Sequence, residues 1–305
     1  MDILNDVLQK LRLRSEIFLH ARFCNNWVVD IEQFDLKVSF HVIAHGDCWL
    51  RVPDSDTPLA LHEGDLVICL RNPPHFVTPD SSHPADDLAR NCPVNDEVQG
   101  VSTTLICGKC EFLQYSWNPI LESLQNIMVI PTKDSEQTSL GMIIKLMIAE
   151  AESNNTSSRA IIDRLSDILL IEAIRTYSQF NEKDKGYLAA LKDPRLCKAL
   201  ASFHKTPKQN WTVQTLSEVA AMSRSAFADQ FKHMVGMSPM EYETGWRMQQ
   251  AYDVLTSDNK SVMKIAEDSG YQSEAAFRKA FKKQFGVGPG SVRREAKGLT
   301  EQLLA

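Results

Sequence analysis

VQTLSEVAAMSRSAFADQFKHMVGMSP (213–239) is repeated, with substitutions, as VMKIAEDSGYQSEAAFRKAFKKQFGVGP (262–289). Six residues of the first copy recur fifty positions later: Ser223, Phe227, Phe231, Lys232, Gly236 and Pro239 match Ser273, Phe277, Phe281, Lys282, Gly286 and Pro289. Before the turn the offset is 49, so the second copy has one extra turn residue. A repeat of this kind predicts two copies of one structural unit.

Each copy predicts a helix, a tight turn and a second helix. Ser223 and Ser273 are positioned to cap the second helix, and Gly236 and Gly286, with proline shortly beyond, are positioned to end it. The phenylalanines of each copy are spaced i,i+4 and must face inward. Two helices of these lengths around a short turn are typical of the helix-turn-helix, whose second helix enters the major groove of DNA.

The helix faces opposite the phenylalanines are the candidate DNA contacts. They carry Arg224, Ser225, Ala228, Asp229 and Lys232 in the first copy, and Glu274, Ala275, Arg278, Lys279, Lys282 and Lys283 in the second. Residues 240–256 predict a helical strut between the copies, and Arg247 on it is a further candidate contact. Two readers on one strut would enter successive major grooves about 34 Å apart without needing a dimer. A plain helical bundle would not explain the shared Ser, Phe, Gly and Pro.

Charge divides along the chain. The formal net charge is −6, yet residues 205–298 hold 14 basic and 10 acidic side chains, whereas residues 1–204 hold 19 and 28. A basic segment joined to an acidic remainder is expected when one domain meets phosphates and the other does not. An ordinary solvated surface is the alternative.

Composition excludes several classes of protein. Of the 305 residues, 43% are hydrophobic and 24% are charged, as in folded globular proteins. No apolar run approaches the length of a membrane span, and the N-terminus lacks the apolar centre of a secretory signal. We therefore expect a cytoplasmic protein with no membrane contact, in which the seven cysteines are free thiols.

The sequence predicts two structured halves of different kinds. Residues 1–22 predict a short helix and its exit, and residues 23–131 alternate short β-type runs with turns, which is typical of a sandwich or barrel. Helical periodicity follows in 132–204. The predicted architecture is an all-β barrel, 1–131, a helical connector or dimerisation region, 132–204, an all-α domain with two helix-turn-helix motifs, 205–298, and a tail, 299–305.

The C-terminal motifs resemble the DNA-binding domain of AraC-type transcriptional regulators. The resemblance rests on WTVQTLSEVAAMSRSAFADQFK, GWRMQQAYDVL and SGYQSEAAFRKAFKKQFGVGP. It implies that the second helix of each motif reads bases, through Ser225, Ala228 and Asp229 and through Ala275, Arg278 and Lys279. Asp229 stands where relatives often carry a basic or polar residue; an aspartate accepts a hydrogen bond from cytosine or rejects wrong sites.

The N-terminal half resembles the cupin-like sensor domain of one AraC-type branch, through FHVIAHGDCWLRV, LALHEGDLVICLRNPPH and LICGKCEF. Gly64 and His75 match the spacing of the second cupin motif. A metal cupin also needs a clustered His-x-His and a Glu, which are missing ahead of Gly46, so no metal or other cofactor is predicted. His41, His45, His62 and His75 offer nitrogen ligands, but His41 and His75 are predicted to line a core or ligand pocket.

Cysteines provide a second sensor hypothesis. The sequence resembles the reactive-chlorine-responsive members of this branch, and that resemblance implies an oxidant sensor at Cys24 and Cys107. Cys110 completes a C-x-x-C with Cys107, a weak signal when single, and Lys109 is a candidate for lowering a neighbouring thiol pKa. Cys48 and Cys69 are predicted to be inert core residues. A small ligand in the barrel is the alternative effector.

Three classes of function compete at this stage. The leading class is a sequence-specific transcriptional activator or repressor, not an enzyme, that responds to a small effector or oxidant. Its expected partners are double-stranded promoter DNA, RNA polymerase and, as an option, a second copy of the chain. A metal-dependent cupin enzyme is disfavoured by the broken motif. A non-specific nucleoid protein is disfavoured because the surplus of four positive charges in 205–298 supplies little sequence-independent attraction.

Overall fold

A computed structural model describes residues 3–9, 11, 13–24, 27–30, 38–53, 55, 57–71, 73–81, 102–112, 117–131, 138–153, 155–180 and 186–304. The chain forms two compact units. The β unit comprises Arg12–Leu113 and Leu124–Glu182, and the α unit comprises Met1–Leu11, Gln114–Ser123 and Lys183–Ala305. The helices predicted as one connector over 132–204 are therefore divided between the two units.

The β unit holds nine strands among the described residues. They are β1 (Leu13–Cys24), β2 (Val29–Asp30), β3 (Val38–His45), β4 (Cys48–Arg51), β5 (Leu59–Leu61), β6 (Leu66–Leu70), β7 (Phe76–Thr78), β8 (Ser102–Phe112) and β9 (Ile127–Ile130). All pairings recorded between them are antiparallel. One sheet has the order β1-β8-β3-β6-β9, and the other has the order β2-β7-β4-β5.

The core of the β unit is built from the inward faces of these strands. Its buried side chains are Phe23, Trp27, Val29, Ile43, Cys48, Leu50, Leu61, Val67, Cys69, Val77, Leu105 and Cys107. Strand β6 is apolar along its whole length, and the side chains of β6 and of β3 up to Ala44 are buried on both faces of the sheet. The predicted barrel-like β domain is confirmed.

Strand β1 corrects the prediction for residues 1–22, because only Ile3–Leu8 (α1) is helical and Leu13–Cys24 is a strand. It lies at the edge of its sheet, where unpaired backbone N–H groups need partners. Two carboxylates of α4 (Ser158–Phe180) provide them. Asp167 accepts from the backbone N–H of Ser15 at 3.0 Å, and Asp163 accepts from that of Ile17 at 3.2 Å. Helix α3 (Ser139–Glu152) packs against α4.

The α unit contains ten helices among the described residues. They are α1, α2 (Pro119–Ser123), α5 (Tyr187–Lys192), α6 (Pro194–Lys205), α7 (Val213–Val219), α8 (Arg224–Val235), α9 (Pro239–Ser257), α10 (Val262–Asp268), α11 (Glu274–Phe285) and α12 (Pro289–Leu304). Helix α12 continues through residues predicted as a tail. In the part of the chain that the structure describes, no helix is both long and apolar enough to cross a bilayer.

The two repeats fold as the sequence predicts, α7–α8 and α10–α11 on either side of α9. The Ser223 hydroxyl accepts from the Ala226 N–H at 3.3 Å, and the Ser273 hydroxyl accepts from the Ala276 N–H at 3.2 Å. Gly236 and Gly286 end α8 and α11 in the left-handed conformation. All four phenylalanines of the i,i+4 pairs are buried.

The turn between the helices of each repeat requires a residue with positive φ. The second repeat places Gly270 there, with φ of +83°. The first repeat places Ala221, 49 positions earlier, with φ of +52°. A residue with a side chain pays about 1–2 kcal/mol to adopt this left-handed conformation. The first repeat therefore carries backbone strain that the second repeat lacks.

We expect Ala221→Gly to raise the free energy of unfolding by about 0.5–1 kcal/mol. Relief of the left-handed strain exceeds the entropy that glycine adds to the unfolded chain. Urea unfolding of the full chain measures the change, and Ala226→Gly in α8 is the matched control, expected to lose about 1 kcal/mol because it lies in a right-handed helix. A loss of stability for Ala221→Gly would contradict the assignment of strain.

Candidate DNA-reading surface and sensor core

The second helix of each repeat presents the predicted face to solvent. Among the candidate contacts, the exposed residues are Arg224, Ser225, Asp229, Lys232, Ala275, Arg278, Lys279, Lys282 and Lys283, while Ala228 and Glu274 are half-buried. The buried phenylalanines fix this orientation, since side chains three and four residues apart share a face and the remaining positions point away. Each repeat therefore brings its candidate contacts together on one helix.

Positive charge is concentrated on α11. Its face carries four basic residues and Glu274, whereas the α8 face carries Arg224 and Lys232 against Asp229. Glu274 is paired with Arg278, whose Nε donates to Oε1 at 2.7 Å. This pair lies at i,i+4 and orients the Arg278 guanidinium along the helix. The α11 face is suited to phosphate attraction, and the α8 face has the smaller charge.

The structure gives Arg247 a bracing position within the α unit. Its Nη2 lies 2.7 Å from Oε1 of Glu243, and only 15% of the Arg247 side chain is exposed. The guanidinium also donates to the carbonyls of Pro207 at 2.9 Å and Gln209 at 2.6 Å. These contacts use Nε and Nη2 of the guanidinium, so Arg247 stabilises the segment before α7 against α9. It therefore lies apart from the exposed faces of α8 and α11 that carry the other candidate contacts.

His41 and His75, predicted to line a core or ligand pocket, meet in the core of the β unit. Both are fully buried, and their Nε2 atoms are 2.9 Å apart. Burial lowers the pKa of His41 well below its usual range, and His75 lowers it further. Burial also lowers the pKa of His75, although the Pro73 carbonyl and Asp30 oppose this. Both rings are therefore neutral at pH 7.

The hydrogen bonds assign the tautomers of this pair. Nδ1 of His75 lies 2.7 Å from the Pro73 carbonyl, which can only accept, so Nδ1 carries the proton and Nε2 is a free lone pair. His41 must then donate from Nε2, which leaves its Nδ1 deprotonated. Among the described atoms that buried Nδ1 has no hydrogen-bond partner.

Sequence reasoning missed the third member of this cluster, Cys69. Its Sγ is 3.5 Å from Nε2 of His75, and ligand atoms of Cys69, His41 and His75 all lie within 4.8 Å of one another. Cys69 is opposite Ser39 in the β3–β6 ladder, and His41 is opposite Val67, so both side chains share one face of the sheet. The alternating pattern of each strand places His41 and Cys69 on one face of its own strand. Only the register of the β3–β6 pair shows that these two faces coincide.

His45 and His62, the other candidate ligands, lie apart from this cluster at the surface. Nε2 of His45 is 2.6 Å from a carboxylate oxygen of Glu152. Nδ1 of His62 is 2.9 Å from a carboxylate oxygen of Asp47. About half of each histidine side chain is exposed. The structure therefore separates the four histidines into one buried pair and two surface residues.

The C-x-x-C motif does not form a thiol pair. Cys107 and Cys110 lie three residues apart on β8, so they point to opposite faces of the sheet. Cys107 joins the core, while Cys110 accepts a hydrogen bond from the Ser15 hydroxyl at 3.2 Å. Burial raises the pKa of both thiols, to about 12 for Cys110. The ammonium of Lys109, a candidate from sequence for lowering a thiol pKa, pairs with Glu16 and Glu111.

Cys24 and Cys107 are also far apart. Cys24 is opposite Ser102 in the β1–β8 ladder, and Cys107 lies five residues further along β8. At about 3.3 Å per residue the separation along the strand is roughly 16 Å. A disulfide requires Cα atoms within about 7 Å. In this fold Cys24 and Cys107 cannot pair directly, although both are buried in the same unit.

Other thiols lie nearer to Cys107. The thiols of Cys48 and Cys69 raise the pKa of Cys107 further, after burial, and all three belong to one core cluster. The pKa of both Cys48 and Cys69 is itself raised to about 12, chiefly by burial. The sequence predicted these two as core residues, which they are, and both share that core with the candidate sensor thiol.

Comparison with known proteins covers nearly the whole chain. The family model described as Cupin matches residues 2–179, and that described as Helix-turn-helix domain matches residues 216–295. An uncharacterised HTH-type transcriptional regulator of Haemophilus influenzae is 31% identical over 304 residues, which cover 96% of this chain and 99% of the relative.

Two further relatives are similar over the same extent. A putative AraC-like transcription regulator of Streptomyces lividans is 31% identical over 302 residues, covering 96% of this chain and 98% of the relative. The RCS-specific HTH-type transcriptional activator RclR of Escherichia coli is 27% identical over 302 residues, covering 98% and 99%. Together with the paired, capped helix-turn-helix motifs and the cupin domain, these matches mean that the chain belongs to the AraC-like family of DNA-binding transcriptional regulators.

Proposed function

We propose that α8 and α11 are the base-reading helices of this regulator and that the cupin domain couples an effector to promoter binding. The observation that carries the proposal is the solvent-facing surface of the two second helices, each fixed by a buried phenylalanine pair. In this proposal Ser225, Ala228 and Asp229 read one half of the site. Ala275, Arg278 and Lys279 read the other half, while Lys282 and Lys283 contact phosphates.

One chain would then read two successive major grooves. Helix α9 runs for 19 residues between the repeats, which is about 28 Å at 1.5 Å per residue. A continuous helix of that length is a rigid spacer, so the relative position of the readers does not depend on a flexible linker. The asymmetry of charge suits this arrangement, with α11 providing electrostatic attraction and α8 discrimination at base edges.

For the effector we propose a small oxidant that acts on Cys107. Similarity to the E. coli relative, whose name specifies RCS, supports this choice. Hypochlorous acid would convert the thiol to a sulfenyl chloride and water; attack by a second thiol, from Cys48 in the facing sheet, would form a disulfide and release chloride and a proton. Because these thiols are buried, the reaction requires local opening of the β unit.

Transcription at the promoter brings one further partner, RNA polymerase. The same relative is named an activator, which supports activation through contact with RNA polymerase as the mode of action here. A regulator that binds promoter DNA works where the chromosome is, so we assign the protein to the cytoplasm.

A homodimer through α3 and α4 completes the proposal. Four of the six large hydrophobic side chains that are exposed among the described residues lie on these two helices: Met142, Leu146, Ile161 and Ile168. Met142 and Leu146 are spaced i,i+4, and Ile161 and Ile168 are spaced i,i+7, so each pair shares a helix face. Exposed apolar side chains concentrated on two packed helices favour a contact between proteins at this place.

Lys279→Ala should relax operator preference at one or two base pairs, by about 1–3 kcal/mol, because it removes a base-edge contact. Lys282→Ala should instead weaken binding to all sequences and reduce the salt slope by about one, because it removes a phosphate contact. Competition binding against operator variants at several salt concentrations measures both. Equal loss on every sequence for Lys279→Ala, or an unchanged slope for Lys282→Ala, would count against the assigned roles.

Cys107→Ser should abolish the response of promoter binding to hypochlorite while leaving basal binding intact. Footprinting on DNA upstream of its own gene, with and without oxidant, measures both properties. Cys197→Ser is the matched control, since Cys197 is half-exposed and lies on α6 in the other unit, and it should respond like the parent. A normal response in the Cys107→Ser variant would exclude this thiol as the sensor.

The double variant Leu146→Ser, Ile168→Ser should shift the protein from dimer to monomer, because it removes two exposed apolar side chains from the proposed contact. Sedimentation velocity of the full chain at micromolar concentration measures the shift. Met263→Ser is the control: Met263 is 59% exposed but lies on α10. A parent protein that is monomeric, or a dimer that survives the double substitution, would refute this interface.

A further inference from the structure

We propose that His41, Cys69 and His75 form a binding site for one soft metal cation, Zn²⁺ or Cu⁺. We call these three residues the histidine–thiol cluster. The site goes beyond the proposed function, since it uses neither the DNA-reading helices nor Cys107. It also revises the expectation from sequence that this domain binds no metal.

The distances between the donor atoms are close to those of a ligated metal. Nε2 of His75 is 2.9 Å from Nε2 of His41 and 3.5 Å from Sγ of Cys69. Zinc binds nitrogen at about 2.0–2.1 Å and thiolate sulfur at about 2.3 Å, so in a tetrahedral site two nitrogens lie about 3.3 Å apart and nitrogen and sulfur about 3.6 Å apart. The third pair of donors, on His41 and Cys69, lies within 4.8 Å, so movements of up to about 1 Å would bring all three donors to metal-binding distances.

His75 is already oriented as a metal ligand. Its Nδ1–H donates to the Pro73 carbonyl at 2.7 Å, so the lone pair of Nε2 points towards the other two members of the cluster. Metal-ligating histidines commonly have this arrangement, in which the second ring nitrogen donates to a carbonyl and fixes the tautomer.

The histidine–thiol cluster has poorly satisfied polar atoms without a metal. The Nε2–H of His41 is directed at the lone pair on Nε2 of His75, and the Cys69 sulfur lies 3.5 Å from the same nitrogen. Nδ1 of His41, also buried, has no hydrogen-bond partner among the described atoms. Buried polar groups are normally paired, and a cation at the centre would give the Nε2 atoms and the sulfur a common partner.

Binding of the cation requires two proton movements, one on His41 and one on Cys69. The proton of His41 moves from Nε2 to Nδ1, which frees the Nε2 lone pair and leaves the ring neutral. The Cys69 thiol loses its proton to solvent and becomes a thiolate. One proton is therefore released for each cation bound, and no electrons are transferred.

The donor set selects a soft cation. Two imidazoles and a thiolate suit Zn²⁺ and Cu⁺, whereas Mg²⁺ and Ca²⁺ need oxygen ligands. One thiolate makes a Cu⁺ site neutral. A Zn²⁺ site keeps one positive charge, and Asp30, which acts electrostatically on His75, would partly offset it. The set also differs from the His-x-His and Glu of metal cupins, because the third ligand is a thiol of β6.

The ligands lie on a rigid support. His41 is in the middle of β3, Cys69 is on the paired strand β6, and His75 immediately precedes β7 in the second sheet. A metal at the histidine–thiol cluster would link the two sheets of the β unit. Ligands fixed by strand pairing need little rearrangement on binding.

The test is metal binding by the full chain, stripped with a chelator under reducing conditions. Zn²⁺ is titrated against a chromophoric chelator, and Cu⁺ is titrated without oxygen against bicinchoninate. We expect one cation per chain for at least one of the two metals. Cys69→Ser and His75→Gln should each weaken that binding at least tenfold. Cobalt substitution should give a thiolate charge-transfer band that Cys69→Ser lacks.

Matched controls keep the result specific. Cys48→Ser removes another buried core thiol and His62→Gln another histidine, and both should bind like the parent. Circular dichroism and promoter binding report folding, and a Cys69→Ser variant that fails to fold is replaced by His41→Gln. The proposal is overturned if the parent binds neither metal, if the cluster variants bind like the parent, or if Cys48→Ser loses as much. Failure of the parent protein to bind promoter DNA would instead contradict the proposal that α8 and α11 read DNA.

Discussion

Burial of two phenylalanine pairs against α9 is the constraint on which the DNA-binding unit depends. Phe231 of the first repeat meets Tyr242, with ring centroids 5.7 Å apart, and Phe281 of the second stacks on Tyr252 at 6.1 Å. A fully buried aromatic side chain contributes about 2–3 kcal/mol. Once these rings are inside, the opposite faces of α8 and α11 must face solvent, and the readers are oriented without any contribution from DNA.

Helix α9 holds both readers because its tyrosines are ten residues apart. That spacing is about 15 Å along the axis and places the two rings on different sides of the helix. Tyr242 is held further by hydroxyl contacts, 2.9 Å from Tyr187 and 2.7 Å from Nε2 of His204. Arg247, between the tyrosines, ties the segment before the first reader to the same helix. Helix α9 therefore packs against both repeats as well as setting the distance between them.

The interior of the β unit combines reactive groups with a dry environment. Strand alternation directs His41, Cys69 and Cys107 towards one face, because His41 is opposite Cys107 on β8 and Cys69 lies diagonally across β6. Burial keeps the imidazoles and the thiols neutral. The thiolate is the reactive form of cysteine, so chemistry at this core begins with loss of a proton, whether the partner is a cation or an oxidant.

The sequence alone determined the C-terminal architecture, because local signals agree there: serine caps, phenylalanines at i,i+4, and glycines that end the helices lie within a few residues of one another. It also determined the β character of the N-terminal half through short alternating runs. Only the tertiary structure decided what pairs across the strands. Register separates Cys24 from Cys107, the pleat turns Cys110 away from Cys107, and β3–β6 pairing brings Cys69 to the histidines. Such contacts join residues that are distant in sequence. They are set by the register of hydrogen bonding between strands, which local periodicity does not encode.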